Sequence, residues 1–317
     1  MPLVTVIIPV YNGAETVAET LKSVLDQHHV LLEVIVVDDG SRDDSLEVSK
    51  SAAGSDPRVT FLHQPNQGVA AARNLGIAKA RGAYLAFIDA DDIWFEGKLA
   101  RQVEALKSGG PLAGVCYCGY VEIDDAGVWR SNSSCPNIEG SVLHHLCAWN
   151  FVGNGSSMLV RREALEAVGS FDTTLRARDA QGCEDYDLLL RLAARFEFRV
   201  IPEILVGYRV GGQSMSADFS RMIRSWRLVS EGLARSRPDL QTELDRGLAS
   251  YAAHLFVGAA RRFRLPQCWR IAGAMRGLKY GFSKALVRVS IERLYQVTAK
   301  LTRYRAMLRS TSTGSDL

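Results

Sequence analysis

Leu3-Val4-Thr5-Val6-Ile7-Ile8-Pro9-Val10, followed by the turn Tyr11-Asn12-Gly13, is the stretch on which the fold turns. It is a near-continuous apolar run without polar alternation, the pattern of a strand buried on both faces, as in a parallel sheet. Residues 14–27 then carry Val17, Leu21, Val24 and Leu25 at helical spacing. Leu32-Glu33-Val34-Ile35-Val36-Val37 is a second buried strand, ending at Asp38-Asp39-Gly40-Ser41. Strand, helix and strand make a βαβ unit. The alternation continues with a helix over 44–53, a strand over 58–63, a helix over 68–80 and the strand Ala83-Tyr84-Leu85-Ala86-Phe87-Ile88. The expected fold is therefore α/β, with a doubly wound, mixed but mostly parallel sheet.

In such sheets ligands bind beyond the carboxyl ends of the strands. Tyr11, Asp38, Asp39, Asp89 and Asp91 all fall there. The segment Asp89-Ala90-Asp91-Asp92 places two carboxylates two residues apart, so in an extended chain Asp89 and Asp91 point to one side. Like charges aimed into one cleft favour a hard divalent cation, Mg²⁺ or Mn²⁺, which commonly shares its oxygen ligands with substrate phosphates. The competing reading is that Asp91 or Asp92 caps a helix starting near Glu96.

Further along, a helix is expected over 97–107 and a strand over 114–123. The long polar stretch 124–140 is of the kind that carries recognition, and we assign it to the acceptor side. A strand over 157–161 and a helix over 162–168 follow. Gly182-Cys183-Glu184-Asp185-Tyr186-Asp187 leads into the helical Leu188-Leu189-Leu190-Arg191-Leu192-Ala193. Acids at a helix start are ordinary, because the positive end of the dipole favours them.

Taken together, Val6-Ile7-Ile8-Pro9-Val10-Tyr11-Asn12, Val37-Asp38-Asp39-Gly40-Ser41, Gly68-Val69-Ala70-Ala71-Ala72-Arg73-Asn74, Asp89-Ala90-Asp91-Asp92 and Glu184-Asp185-Tyr186-Asp187 resemble, in order, the motifs of the family 2 glycosyltransferases. That family has the GT-A fold, and the resemblance covers roughly the first 215 residues. It implies a nucleotide-diphospho-sugar donor, with a UDP-sugar favoured, a divalent metal, and transfer to a saccharide or lipid-linked acceptor with inversion at the anomeric carbon. By the same resemblance Pro9 and Tyr11 border the nucleobase and Asp39 accepts from its N–H. Arg73 reaches towards base or phosphates, and Glu184 also belongs to the nucleotide-sugar site. Asp89 holds the ribose or supports the metal, Asp91 binds the metal directly, and Asp185 is the general base. One departure stands out. Family members often carry a His shortly after the Tyr-Arg of a late strand, whereas this chain reads Tyr208-Arg209-Val210-Gly211-Gly212-Gln213-Ser214. Arg209, Gln213 or the glycine-rich backbone are the candidates to replace it.

The 317 residues fit a catalytic domain over 1–217 and a basic helical extension over 218–317. The charge divides the same way, −9 before residue 218 and +12 from there on. Val287, Ile291, Leu294, Leu301, Tyr304 and Leu308 form an apolar stripe flanked by arginines and lysines, which suits packing on protein or attachment to an anionic membrane surface. No nucleic-acid module accompanies the charge. The six cysteines form neither a CxxC pair nor a zinc-spaced cluster and are expected as buried free thiols in a reducing compartment. The direct start on a strand predicts no secretory leader, hence a cytoplasmic protein, peripheral on the membrane if the basic helix binds there. The leading expectation is an inverting glycosyltransferase of surface polysaccharide or lipopolysaccharide synthesis. Its alternatives are a nucleotidyltransferase, which would need a glycine-rich basic loop after the first strand, and a silent sugar-nucleotide-binding or scaffold protein.

Overall fold

The computed structural model describes residues 2–211, 218–261 and 265–274. Its first half is β1 (Leu3–Val10), α1 (Val17–Leu25), β2 (Leu31–Asp38), α2 (Ser45–Ala53), β3 (Val59–His63), α3 (Val69–Lys79), β4 (Tyr84–Phe87), β5 (Ile93–Trp94), α4 (Lys98–Ser108) and β6 (Ala113–Ile123). Then come β7 (Trp129–Ser134), α5 (Leu143–Ala148), β8 (Met158–Arg161), α6 (Arg162–Val168), α7 (Thr174–Ala177), α8 (Glu184–Ala193) and β9 (Glu197–Arg209). The helices α9 (Phe219–Ser236), α10 (Gln241–Arg261) and α11 (Leu265–Ala274) follow.

One mixed sheet runs in the order β3-β2-β1-β4-β8-β6-β9-β5, with β7 paired to β6. The first four strands are parallel, β8 runs antiparallel to both β4 and β6, and β9 is parallel to β6. Alternate residues of β1 serve opposite faces. Val4, Val6, Ile8 and Val10 pack with α1 and α4, while Ile7 joins the core shared with α3, α5 and α8. Helix α3 lies so close to β1 that a methyl group on Gly76 would meet Ile7 Cγ2 at 2.6 Å. Glycine is therefore the residue that permits this approach.

The chain leaves β1 towards β2 on one side and returns to β4 on the other, which opens a crevice between their carboxyl ends. Pro9 sits at that divergence. Ile7 presents its carbonyl to Ile88 N, so Pro9, two residues on, faces the same side, where β4 has already ended. A proline without an N–H costs the ladder nothing there.

The structure adds elements that lay outside the sequence reading. The acidic segment is a turn rather than an extended strand end, with Asp92 N donating to Asp89 O. Beyond it comes β5, and α4 begins only at Lys98, after Gly97. The helix-capping reading of Asp91 and Asp92 is thereby excluded. The polar stretch 124–140 contains β7, whose Trp129 stacks on Phe95 with ring centroids 5.6 Å apart. Five of the six free cysteines are buried as expected, but Cys135 is exposed.

Met222, Trp226 and Val229 of α9 and Leu244 and Leu248 of α10 are buried in the same apolar cluster as Phe87 and Tyr186. Tyr186, Trp226 and Tyr251 stack with centroids 4.2 and 4.4 Å apart. These helices thus continue the core of the first 211 residues. The apolar stripe over 287–308 and the Gly212-Gln213 region lie outside the described residues. Among the described residues no helix is long and apolar enough to cross a membrane.

Candidate active site

The turn after β4 is held from three directions. Thr16, Thr20 and Ser23 share one face of the α1 segment. Thr16 Oγ1 donates to Ala90 O at 2.8 Å, Thr20 Oγ1 to Asp92 O at 2.8 Å, and Trp94 N donates to Ser23 Oγ at 3.1 Å. From the end of β9, Arg209 Nε donates to Asp91 O, Nη1 to Asp124 O and Asp125 O, and Nη2 to Glu19 Oε2, all within 2.8 Å. From the 3₁₀ turn Gly155–Ser157, Ser156 Oγ donates to Asp92 Oδ2 at 2.5 Å and accepts from Asp89 N at 3.1 Å.

Arg209 therefore does not replace the missing His as a diphosphate contact. Its guanidinium is buried and spent on four acceptors of the protein. Arg209→Ala would strand those groups and is expected to lower unfolding stability by about 2–3 kcal/mol in urea titration. Arg209→Lys is expected to recover little of that loss, because one ammonium cannot span the fork.

The three acids of the turn have different partners. Asp92 is fully buried, accepts from Ser156 Oγ and from Arg209 N at 2.9 Å, and serves as a structural pin. Burial, then the charges of Asp91 and Asp89, raise its carboxyl well above the ordinary range. Asp89 is paired with Arg73 Nη2 at 2.5 Å. Among the described residues Asp91 is left with no donor except its own backbone N–H. Burial and the adjacent Asp89 charge raise its pKa to about 6, with Arg209 opposing.

Arg73, on the first turns of α3, joins the two acidic groups. It is 3% exposed and lies over the Phe171 ring at 5.1 Å. Nη2 holds Asp89 and Nη1 reaches Glu184 Oε1 at 3.5 Å, while Nε is buried without a partner among the described residues. Glu184 Oε2 also accepts from Gly182 N at 2.8 Å, which fixes the start of α8. Next to it, Asp185 accepts from Tyr186 N at 2.7 Å. Burial foremost, then the Glu184 charge, raise the Asp185 pKa to about 7, against the pull of Arg73. A methyl group on Gly155 would meet Arg73 Nη2 at 3.4 Å and Asp185 Cβ at 3.8 Å, so the 3₁₀ turn closes the wall between them.

The expected residues thus fall into two groups. Asp89, Arg73, Glu184 and Asp185 form one chain of charge contacts, with Asp91 beside Asp89. At the other end of the crevice Tyr11 stands 47% exposed past β1, and Pro9 is buried opposite Val37. Asp39 is buried and accepts from Gln64 Nε2, Gln67 N and Gly68 N at 2.7–2.8 Å, fixing the entry to α3. Ser156, Gly155 and the α1 hydroxyls lay outside the sequence reading. For the α1 hydroxyls the spacing of Thr16, Thr20 and Ser23 on one helical face is a signal that the sequence carries.

The donor set fits a hard divalent ion with few protein ligands. Among the described residues the Asp91 carboxylate has no donor beyond its own backbone N–H, and burial together with the adjacent Asp89 charge disfavours its ionisation in a way that a bound cation relieves. Among the described residues no three His, Cys, Asp or Glu side chains stand together as a complete ligand set.

Residues 5–169 match the family model described as "Glycosyl transferase family 2". An uncharacterized glycosyltransferase of Rickettsia bellii is 38% identical over 140 residues, which are 44% of this chain and 20% of that protein. The matches to curated relatives span from about a fifth to about two thirds of their lengths. Among solved structures, S. aureus TarS 1–349 in complex with UDP-GlcNAc superimposes with a TM-score of 0.63 at 17% identity, covering 90% of this chain and 82% of that one. The mannosyltransferase PcManGT from Pyrobaculum calidifontis, in complex with GDP-Man and Mn²⁺, superimposes with a TM-score of 0.59 at 23% identity, covering 93% and 88%. At these identities the likeness establishes the fold.

Proposed function

The chain belongs to glycosyl transferase family 2 and has the GT-A fold, and from that premise we propose that it is an inverting glycosyltransferase. It would move a sugar from a nucleotide-diphospho-sugar, favouring UDP, to an acceptor hydroxyl in the synthesis of surface polysaccharide or lipopolysaccharide. The observation that carries the reading is the Arg73 bridge. By pairing with Asp89 and reaching Glu184, it makes one wall of a carboxylate pair suited to a metal diphosphate and a raised-pKa carboxyl suited to a base.

The division of labour follows from the partners. Asp91, with Asp89 beside it, would hold Mg²⁺ or Mn²⁺, whose positive charge stabilises a departing diphosphate. Tyr11 and Pro9 border the nucleobase, and Asp39 accepts from its N–H through the lone pair its protein donors leave. Arg73 fixes the Asp89 carboxylate and tempers the negative charge around it. Asp185, beside Glu184 at the start of α8, takes the proton of the acceptor hydroxyl as the hydroxyl oxygen attacks the anomeric carbon and the diphosphate leaves opposite. General-base assistance of this kind contributes about 10²–10⁴ in rate.

The test is a donor screen with Mn²⁺ present, following nucleoside diphosphate release and thermal stabilisation across UDP-, GDP- and dTDP-sugars. Release from one donor class is expected, with UDP-sugars leading. Stabilisation by a sugar nucleotide without any release would favour a silent binding protein.

The base assignment also fixes a pH dependence. Asp185 works only when deprotonated, and its pKa is raised to about 7 in the free protein. The active fraction is therefore one half near pH 7, approaches its maximum about one pH unit higher, and falls as the pH drops below that value. kcat/KM for the acceptor is expected to fall about tenfold per pH unit on the acid side, reporting the free enzyme. A profile flat from pH 8 to 5 would overturn the assignment.

A further inference from the structure

The 3₁₀ turn Gly155–Ser157 touches both acidic groups of the site. Ser156 Oγ donates to Asp92 Oδ2 and accepts from Asp89 N, while Gly155 lies against Arg73 and Asp185. The backbone of this turn is held in its turn by side chains of β5 and α4. Trp94 Nε1 donates to Ser156 O at 2.9 Å, and Gln102 Nε2 donates to Ser157 O at 2.9 Å and to Cys116 O at 3.1 Å. The Cys118 thiol, at 3.6 Å, is a weaker second donor to Ser157 O.

Both grips meet at Lys98, the first residue of α4. Its ammonium donates to Gln102 Oε1 at 3.0 Å and lies 3.9 Å from the centre of the Trp94 ring, a cation–π contact. The orientation of the amide follows from its partners, because two are carbonyls, which only accept, and the third is an ammonium, which only donates. Lys98 is fully buried, and among the described residues no carboxylate is paired with it. A lysine in that position is rare. Burial pushes its pKa down to about 8, so its protonation opposes folding once the pH falls below the ordinary lysine value, and fully below about 8. An apolar side chain would fill the space without that cost, but it could not hold the amide.

We infer that Lys98 is a positioning residue of the transfer reaction: through the Gln102 amide and the Trp94 indole it fixes the carbonyls of Ser156 and Ser157, and through that turn it sets the acidic segment and Asp185 relative to each other. The inference rests on the glycosyltransferase reading and extends its machinery to side chains that touch no substrate. The chemistry makes such a device useful. A diphosphate held at Asp89 and Asp91 and a hydroxyl held at Asp185 must meet in line, and a misplacement of about 1 Å can cost about a hundredfold in rate. The turn is the one piece of backbone described above that contacts Asp89, Asp92, Arg73 and Asp185 together.

Lys98→Met and Gln102→Met, each close in volume to the residue it replaces, test this in the full chain. Carbon-13 NMR titration of the Asp185 carboxyl in the free protein needs no donor. Its midpoint is expected to fall by about half a pH unit or more in both variants, because a loosened Gly155 admits water to a carboxyl whose pKa burial raises. In turnover with the donor found in the screen, kcat should fall about tenfold or more and further than either KM changes. The double variant should be no slower than the slower single, since both residues act through one carbonyl. A packing role alone would lower the melting temperature and leave the Asp185 midpoint in place. The inference is overturned if that midpoint is unmoved in Lys98→Met, or if Lys98→Met matches the kcat of an active wild type. If Lys98→Met fails to fold, Gln102→Met and Trp94→Phe decide by the same titration. Trp94→Phe keeps a ring beside the ammonium and removes the donor to Ser156 O, and it should shift the midpoint in the same direction. Should no donor release diphosphate from the wild type, the transfer reading fails by itself, and the titration still decides the positioning.

Discussion

Asp185→Asn is expected to lower kcat at least a hundredfold while leaving the Mn²⁺-dependent affinity for the donor nucleotide within about twofold. The substitution keeps the shape of the side chain and the oxygen that accepts from Tyr186 N. What it removes is the capacity to take a proton, and an interaction made only in the transition state reduces kcat rather than binding. Stability supplies an independent check. The folded-state pKa of Asp185 is raised, to about 7, so ionisation disfavours the fold once the pH exceeds the ordinary carboxylate value, and the effect is complete above about 7. At pH 8 the neutral Asn variant should therefore melt at the same temperature as wild type or higher. Slow turnover in a protein of undiminished stability is the signature of a lost base. Turnover near wild type would mean that another group accepts the proton. The acid limb of the pH profile should disappear in whatever residual activity the Asn variant retains.

What the sequence reveals and what it hides follow the range of the interactions. Strands β1, β2 and β4 are readable from residues 3 to 88 because burial on both faces writes an unbroken apolar run, and Val4, Val6 and Ile8 on one face with Ile7 on the other need no knowledge of distant partners. Strand β5 is two residues long and leaves no periodicity, and its omission made the helix-capping reading of Asp91 and Asp92 look open. The shape of the Asp89–Asp92 segment is set by the turn closed by Asp92 N on Asp89 O, clamped by Arg209 from 118 residues away, and not by strand pleating. Arg73 belongs to the same class. Its position in an Ala-rich helix start is visible, but its pairing with Asp89 and its reach to Glu184, 111 residues away, is a property of the folded chain alone. The charge change at residue 218 suggested a separate appendage. Net charge reports the exposed surface, however, and the buried faces of α9 and α10, with Trp226 between Tyr186 and Tyr251, join them to the same core.

The second large effect separates two neighbouring acids, Asp91 and Asp92. Asp91→Ala is expected to weaken UDP binding in the presence of Mn²⁺ at least thirtyfold by calorimetry and to lower kcat/KM about a thousandfold. Binding measured without metal should change little. The argument rests on partners. Asp91 has no protein donor beyond its own backbone N–H among the described residues, so its removal strands nothing and relieves repulsion with Asp89. Melting temperature should hold or rise, since burial and Asp89 raise its pKa to about 6, so its ionisation opposes folding once the pH exceeds the ordinary carboxylate value and does so fully above about 6. Asp92→Ala should behave in the opposite way. Its carboxylate accepts from Ser156 Oγ and Arg209 N, so its loss orphans two buried donors and frees the turn that carries Asp89 and Asp91. A stability loss of about 2–4 kcal/mol is the expected result. If Asp92→Ala proved stable and metal-blind while Asp91→Ala unfolded, the roles assigned to the two acids would have to be exchanged. If both bound UDP equally well with and without Mn²⁺, the acidic turn would have no part in holding a cation.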